Sequence, residues 1–275
     1  MDTQTLKFIV LADLHIVPEG TLSHGINTFD RLKQAVAFVN EHHHDTDFVV
    51  FAGDLTDHHE AEAYLRFKSV VDTLTPQAYV TLGNHDDRPT FLQTMGATPA
   101  ETGNMDHVID VKGYRVIVLD TFDPDPDIPG SGSLEPAQID WLKARLAEVQ
   151  DKPVVVVLHH NIVPFHIHTD TIILKDGAAF VEALKSHKDI RQVISGHVHL
   201  TTSGTFNGIP FCTFAGSHYS VEPMLKSRSA GVLPPRREGP GQLAVVLCND
   251  NSVVVHMENF LDRHLIMPQE LFTGV

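Results

Sequence analysis

The chain has 275 residues, of which 42% are hydrophobic and 20% are charged, as in a folded protein with a large core. Its 35 acidic and 20 basic residues give a formal net charge of −15, which argues against a nucleic-acid polymer or an anionic membrane as a partner. Its two cysteines form no CxxC pair, which argues against a thiolate metal site, and no apolar run approaches the roughly 20 residues that span a bilayer, so we expect a cytoplasmic protein.

Three strand and helix units open the chain, and each predicted strand ends in polar residues. The predicted strands are continuous apolar runs, typical of strands buried on both faces, at 8–12, 48–52 and 79–82. Apolar residues at helical spacing predict helices at about 28–43 and 60–75. The polar residues that follow the strands are Asp13-Leu14-His15, Gly53-Asp54 and Gly83-Asn84-His85-Asp86. Gly83 tolerates a positive φ at no steric cost, which suits a turn at this point. This recurrence predicts an α/β layered fold.

The second half of the chain continues the pattern. Its predicted elements are a hairpin at 107–111 and 114–120, a helix from Pro136, a strand at 153–158, a helix at about 176–188, and strands at 192–195, 203–206, 210–214, 243–247 and 253–256. The strand at 153–158 is followed by His159-His160, and the strand at 192–195 by Gly196-His197-Val198-His199. Two more strand ends therefore carry imidazoles.

Three segments outside these elements have predicted roles of their own. Residues 216–241 contain several prolines and glycines and are predicted to form a lid or contact loop. The histidines of residues 165–170 either line a pocket or lie on an exposed loop. Residues 260–275 form a C-terminal tail whose apolar side chains either cover a second subunit of a homo-oligomer or pack on their own chain. No linker interrupts the sequence, so we expect a single domain over residues 1–275.

Polar side chains at five strand ends form a candidate metal site. The seven residues are Asp13, His15, Asp54, Asn84, His159, His197 and His199. Oxygen and imidazole ligands suit divalent Mn, Fe, Co or Zn ions. Alternate residues of an extended segment point to the same side, so each Asp-x-His or His-x-His pair can reach one site. A single buried histidine is usually a hydrogen-bonded core residue, but that interpretation does not account for seven such residues at five strand ends.

The order of these motifs resembles that of the calcineurin-like metallophosphoesterases over about residues 6–215. Within that family the chain is most similar to the bacterial class III cyclic nucleotide phosphodiesterases and the glycerophosphodiesterases, which share a segment like Gly25-Ile26-Asn27-Thr28. The resemblance implies a four-layer αββα sandwich of two mixed β-sheets flanked by helices. It also implies two divalent metal ions at one end of the sandwich.

The resemblance also implies a role for each site residue. Asp13, His15 and His199 would hold one metal, Asn84, His159 and His197 the other, and Asp54 would bridge them. A hydroxide between the metals would attack the phosphorus. His85 would contact the phosphate or protonate the leaving group, and Asp86 could orient the His85 imidazole. Asn84, His85 and His218 are the candidate substrate contacts.

Departures from related families narrow the predicted activity. No arginine follows Gly53-Asp54, where protein Ser/Thr phosphatases carry a phosphate-binding arginine, and no tyrosine stands there before Tyr64, where purple acid phosphatases carry a metal-bound one. Both absences favour a phosphodiesterase that hydrolyses small diesters, either cyclic nucleotides such as cAMP or glycerophosphodiesters. The alternatives are a nuclease or nucleotide pyrophosphatase on the same scaffold, and a non-catalytic metal-binding scaffold protein.

Overall fold

Thirteen strands and five α-helices are present in the computed structural model, which describes residues 5–225 and 233–261. The strands are β1 (Leu6–Leu11), β2 (Phe48–Ala52), β3 (Gln77–Thr81), β4 (His107–Val111), β5 (Tyr114–Leu119), β6 (Val154–Leu158), β7 (Ile190–Ser195), β8 (Thr202–Phe206), β9 (Ile209–Thr213), β10 (Ser220–Val221), β11 (Arg236–Arg237), β12 (Gln242–Cys248) and β13 (Val253–Asn259). The helices are α1 (Thr28–His42), α2 (Ala61–Val71), α3 (Arg88–Met95), α4 (Pro136–Ala147) and α5 (Gly177–Leu184).

Eleven of these strands form two mixed sheets. One sheet has five strands in the order β13-β12-β1-β2-β3, and the other has six in the order β4-β5-β6-β7-β9-β8. The strands β1, β2 and β3 are parallel, as are β5, β6, β7 and β9. The antiparallel pairs are β1 with β12, β12 with β13, β4 with β5, and β8 with β9. The expected pair of mixed sheets is therefore confirmed.

Three apolar layers separate four layers of secondary structure. Along β1, Ile9 and Leu11 face α1, α2 and α3, whereas Phe8 and Val10 pack against the second sheet. The outer face of the second sheet packs against α4 and α5, with Val156 in that layer. Because alternate side chains of a strand point to opposite faces, burial of both faces requires an unbroken apolar run. This arrangement is the predicted αββα sandwich.

Neighbouring parallel strands end at the same level. Leu11 of β1 is paired with Phe51 of β2, Ala52 of β2 with Thr81 of β3, and Leu158 of β6 with Ser195 of β7. The polar residues that follow each strand consequently emerge side by side at one end of the sandwich.

Some elements differ from the sequence predictions. The eight-residue helix α3 was not predicted, and β10 and β11 pair within residues 216–241, which were predicted as a loop. Most of the C-terminal tail lies outside the described residues, but its first two residues, Phe260 and Leu261, pack into the layer beneath α1 and α2. In the described part of the chain, no helix combines the length and apolar character needed to cross a membrane.

Candidate metal centre

Side chains from both sheets converge on Asp54. Its Oδ2 atom lies 3.2 Å from Nε2 of His159, which follows β6, and 3.6 Å from Nε2 of His15, which follows β1. Nε2 of His15 also lies 3.2 Å from Nε2 of His199, and this His199 atom lies 3.5 Å from Oδ1 of Asp13. Five of the seven strand-end side chains are thus brought to one place, and the other two, Asn84 and His197, line one cavity together with Asp54.

Several sets of ligand atoms in this cluster are close enough to share a cation. Within each set all atoms lie within 4.8 Å of one another, and the sets are Asp13 with His15 and His199, Asp13 with Asp54 and His159, His15 with Asp57 and His85, and His159 with His160 and His197. Three ligand atoms of the cluster are buried without a hydrogen-bond partner among the described residues: Asn84 Oδ1, His159 Nε2 and His197 Nδ1. Because an unpartnered buried polar atom is costly, these atoms fit a bound divalent cation well.

The ring nitrogen of each histidine that faces away from the cluster is held by a protein oxygen. His159 Nδ1 donates to the Ala52 carbonyl at 2.8 Å, His197 Nε2 to the Ile172 carbonyl at 2.8 Å, and His199 Nδ1 to the Tyr219 carbonyl at 2.9 Å. Each contact fixes the tautomer in which the opposite nitrogen presents its lone pair to the cluster, as a metal ligand requires.

His15 is held by a carboxylate that the sequence analysis did not identify. Its Nδ1 donates to Oδ1 of Asp57 at 3.0 Å. Burial opposes ionisation of Asp57, but the hydrogen bond from His15 and the nearby His15 and His85 imidazoles hold the pKa of this carboxyl well below its usual range. A charged acceptor of this kind orients the imidazole and raises its basicity. Nothing in the sequence distinguishes Asp57 from an ordinary loop aspartate three residues beyond Asp54.

The backbone at five of the seven positions is left-handed. The φ angles are 55° at Asp13, 48° at His15, 51° at Asp54, 72° at His197 and 51° at His199. This conformation is unfavourable for residues with a Cβ atom, and it clusters at functional sites. Gly83 does not use its tolerance of positive φ, because its φ is not positive. Gly83 is needed for space, since a Cβ there would lie 2.7 Å from the His159 ring.

Burial and mutual proximity shift the pKa values of the cluster in opposite directions. Burial raises the pKa of Asp13 to about 7, and the neighbouring Asp54 adds to this effect. Burial also opposes ionisation of Asp54, but the nearby His159 and His85 imidazoles hold the pKa of Asp54 well below its usual range. Burial lowers the pKa of His197 to about 3, which keeps this imidazole neutral. A neutral imidazole beside an ionised carboxylate is the donor set that a divalent cation takes.

His85 lies beside the cluster and is held by Asp54 and Asp57, not by Asp86 as predicted. Its backbone N–H donates to Asp54 Oδ1 at 2.9 Å, and its Nδ1 donates to the Asp57 carbonyl at 2.8 Å. Asp86 does not contact the His85 ring, so the prediction that it orients this imidazole is wrong. Its carboxylate instead accepts hydrogen bonds from the backbone of Leu55 and Gly83 and from the Tyr64 hydroxyl, which ties the loops after β2 and β3 together.

A cavity of about 260 Å³ opens over the cluster. Its described lining includes Asp54, Asn84, His85, His197 and His199, residues of the 3₁₀ turn His168–Thr171, and Tyr219, Val221, Leu233, Pro234 and Arg236 from residues 216–241. Of the two histidines in residues 165–170, His168 lines the pocket, whereas His166 is exposed, so each of the two expectations holds for one of them. His218 does not: it is 1% exposed, and its Nε2 donates to the Ser23 carbonyl at 3.2 Å. Its position does not support the predicted substrate contact.

Comparisons with known proteins agree with this geometry. The family described as "Calcineurin-like phosphoesterase" matches residues 6–200. The chain is 31% identical to a "Probable cyclic nucleotide phosphodiesterase" of Rhodococcus erythropolis, over 77% of this chain and 71% of that protein. It is 30% identical to a protein of the same description from Rhodopseudomonas palustris, over 93% of each chain.

The fold is shared with solved structures of low sequence similarity. A dimetal phosphatase from Danio rerio superimposes with a TM-score of 0.68 at 14% identity, covering 94% of this chain and 97% of that one. Motif order, sandwich architecture, convergence of the ligand atoms and sequence similarity lead to the same conclusion. The chain belongs to the calcineurin-like phosphoesterase family.

Proposed function

We propose that the chain is a metal-dependent phosphodiesterase that hydrolyses cyclic nucleotides such as cAMP. The observation that carries the proposal is the convergence of oxygen and imidazole ligands from both sheets on Asp54. Two relatives described as cyclic nucleotide phosphodiesterases, one of them similar over 93% of each chain, support this substrate class over glycerophosphodiesters.

We propose that two divalent cations are bound by the two sets of ligands that the resemblance implies. Asp13, His15 and His199 hold one divalent cation, Asn84, His159 and His197 hold the other, and Asp54 is shared. The short distances on both sides of Asp54 and the unpartnered atoms of Asn84, His159 and His197 support this division. When bound, two divalent cations polarise the phosphodiester and make water a stronger nucleophile near neutral pH. Mn, Fe, Co and Zn ions all suit the ligands.

His85 is the proposed catalytic side chain next to the cations. Because Nδ1 donates to the Asp57 carbonyl, Nε2 is the ring nitrogen left to contact substrate from the cavity wall. Burial opposes protonation of His85, but the nearby Asp54 carboxylate and the Asp57 carbonyl raise the pKa of this imidazole. In the protonated ring Nε2 carries a proton as well, and a donor fixed beside the phosphate stabilises charge that develops on an oxygen in the transition state. His85→Ala is accordingly expected to lower kcat more than it changes KM.

A substrate screen tests the proposal. Protein loaded with Mn²⁺ is assayed with 3′,5′-cAMP, bis(p-nitrophenyl) phosphate, p-nitrophenyl phosphate, a glycerophosphodiester and single-stranded DNA. We expect kcat/KM to be highest for cAMP among the natural compounds. Preference for the monoester or for DNA would contradict the proposal, and preference for the glycerophosphodiester would replace the substrate class.

Substitution of Asp54, the ligand proposed for both cations, gives the most informative variant. Asp54→Asn keeps the size of the side chain but removes the charge between the two cation sites, so turnover should fall by at least about 100-fold. Bound metal per chain should fall as well. Asp72→Asn, on the surface where Asp72 pairs with Lys68, is the matched control and should leave both values unchanged.

We further propose a cytoplasmic location and a small-molecule partner. The two buried cysteines, Cys212 and Cys248, are both free, as expected in a reducing compartment. Fractionation of the native cells should recover the activity with the cytoplasmic proteins, and recovery with membranes would contradict this location.

A further inference from the structure

Arg236 brings a positive charge into the wall of the cavity. Pairing of Val221 with Arg236 between β10 and β11 places this side chain there, beside Tyr219. Among the described residues that line the cavity, no other lysine or arginine is present. Nothing in the sequence marks this residue, because it is more than 180 residues from Asp54 in a segment without a recognisable motif.

The neighbouring arginine differs in its contacts. Arg237 Nε donates to Glu222 at 2.6 Å, so its charge is neutralised by an ion pair. Arg236 has no carboxylate partner within residues 5–225 and 233–261; its guanidinium carbon lies 5.0 Å from the centre of the Tyr219 ring. One of two adjacent arginines is therefore held by a carboxylate, and the other lies over an aromatic ring at the cavity.

Tyr219 links Arg236 to the metal centre. The Tyr219 ring stacks on the His199 ring with centroids 3.9 Å apart and planes 6° from parallel. The tyrosine ring thus contacts both a proposed metal ligand, His199, and the guanidinium of Arg236. Arg236, Tyr219 and His199 line the same cavity as Asp54, so a substrate whose phosphate lies at the metal centre can also contact Arg236.

We propose that Arg236 binds the nucleobase of a cyclic nucleotide while its phosphate lies at the metal centre, with Tyr219 as the support for the guanidinium. This inference rests on the proposed function and adds a residue that selects the substrate. A guanidinium is planar and weakly hydrated, so it stacks on flat rings, which an ammonium group does not do. Its edge also offers donors to ring nitrogens and carbonyl oxygens. A diester without a base gains nothing from this residue.

Three variants test the proposal on two substrates. Arg236→Gln removes the guanidinium, Arg236→Lys keeps the charge without the plane, and Arg237→Gln is the matched control. For 3′,5′-cAMP we expect both Arg236 variants to raise KM about tenfold, the size of one lost stacking contact, with kcat nearly unchanged. For glycerophosphoethanolamine, KM should stay within about twofold in all three variants. Arg237→Gln should match the parent protein on both substrates.

Calorimetry supplies a readout that does not depend on turnover. Titration of Mn²⁺-loaded protein with AMP should show about tenfold weaker binding in Arg236→Gln, whereas titration with inorganic phosphate should give the parent Kd. Equal losses for AMP and phosphate, restored by Arg236→Lys, would mean that the residue serves the phosphate charge and would overturn the proposal. Unchanged AMP binding would also overturn it. If the parent protein hydrolyses neither diester, the proposed function fails, and the two titrations still decide the role of Arg236.

Discussion

At the scale of single residues, Asp57 shows how a side chain outside the ligand set can govern metal binding. It accepts a hydrogen bond from the ring nitrogen of His15 that faces away from the centre. Loss of such a partner typically costs 10- to 100-fold in metal affinity, and we expect about that loss in Asp57→Ala, with kcat recovered at saturating Mn²⁺.

The adjacent residue provides the control for this prediction. His58 has a side chain that is 71% exposed, so His58→Ala should bind Mn²⁺ with the parent affinity. Competition with a fluorescent chelator measures both values. Parent-like affinity in Asp57→Ala would show that His15 needs no positioning.

Asp106, which is not a proposed metal ligand, gives the protein a predicted pH-dependent stability. Burial raises the pKa of Asp106 to about 6 from 3.8, although hydrogen bonds from the Asp120 N–H and the Thr102 and Gln138 side chains favour the charged form. The folded carboxyl holds its proton more tightly than the unfolded one. Its contribution to the free energy of unfolding therefore falls as pH rises from about 4 to about 6, by about 3 kcal/mol in total, and is constant above.

Asp106→Asn isolates this effect. The amide oxygen can still accept from Asp120 N and Gln138, and the amide nitrogen can donate to the Thr102 hydroxyl. Urea unfolding should show that the variant gains stability relative to the parent protein as pH rises from 4.5 to 7. A difference in free energy that stays constant over this range would contradict the raised pKa.

The proposed ligands could be predicted from the sequence, whereas the contacts between loops could not. The seven proposed ligands could be found because each directly follows a recognisable strand. The contact between Asp57 and His15 spans 42 residues, and the Asp86 carboxylate bonds Leu55 across 31. Such contacts depend on how two loops fold over each other, which neither periodicity nor motif spacing encodes.

At the scale of elements, the helix α3 shows the value of a capping residue. Asp87 accepts hydrogen bonds from the Thr90 N–H at 2.9 Å and from the Thr90 hydroxyl at 2.6 Å. We expect Asp87→Ala to cost about 1 kcal/mol of the free energy of unfolding, because the first turn loses this acceptor. Glu60 stands at the same position of α2 but makes no side-chain capping bond, so Glu60→Ala should cost far less in the same urea titration. Equal costs would show that the capping bond is not what matters.

Helix α3 also shows why short elements escape prediction. Asp87, Pro89 and the left-handed Gly96 are good start and stop signals. Yet Phe91 is the only residue of this eight-residue helix that is classed as buried, so it lacks the apolar stripe by which α1 was recognised. The buried strands were found because both faces are covered, and the two-residue strands β10 and β11 are too short to leave a pattern.

At the scale of the whole molecule, the metal centre joins the two sheets. Asp13, His15 and Asp54 come from the five-stranded sheet, and His159 and His199 come from the six-stranded one. Cations bound only by the folded chain stabilise it by mass action. Removal of metal with EDTA should therefore lower the melting temperature by about 5 °C or more, and Mn²⁺ should restore it.

The Asp54→Asn variant tests whether Mn²⁺ stabilises the protein by binding at the proposed metal centre or by a general effect of ions. With the shared carboxylate gone, the gain in melting temperature on addition of Mn²⁺ should be clearly smaller than in the parent protein. An equal gain would place the stabilising cations elsewhere. The four-layer architecture itself was predictable, because motif order identified the family and the apolar runs placed the strands.

The left-handed backbone at Asp13, His15, Asp54, His197 and His199 has an evolutionary consequence. Glycine, and to a lesser extent asparagine, adopts this backbone with less strain than histidine does. A descendant released from selection for hydrolysis would gain stability by drifting to those residues at the same five places, while its buried strands stayed apolar. Glycine or asparagine at these positions would thus record lost catalysis in a chain whose architecture had survived.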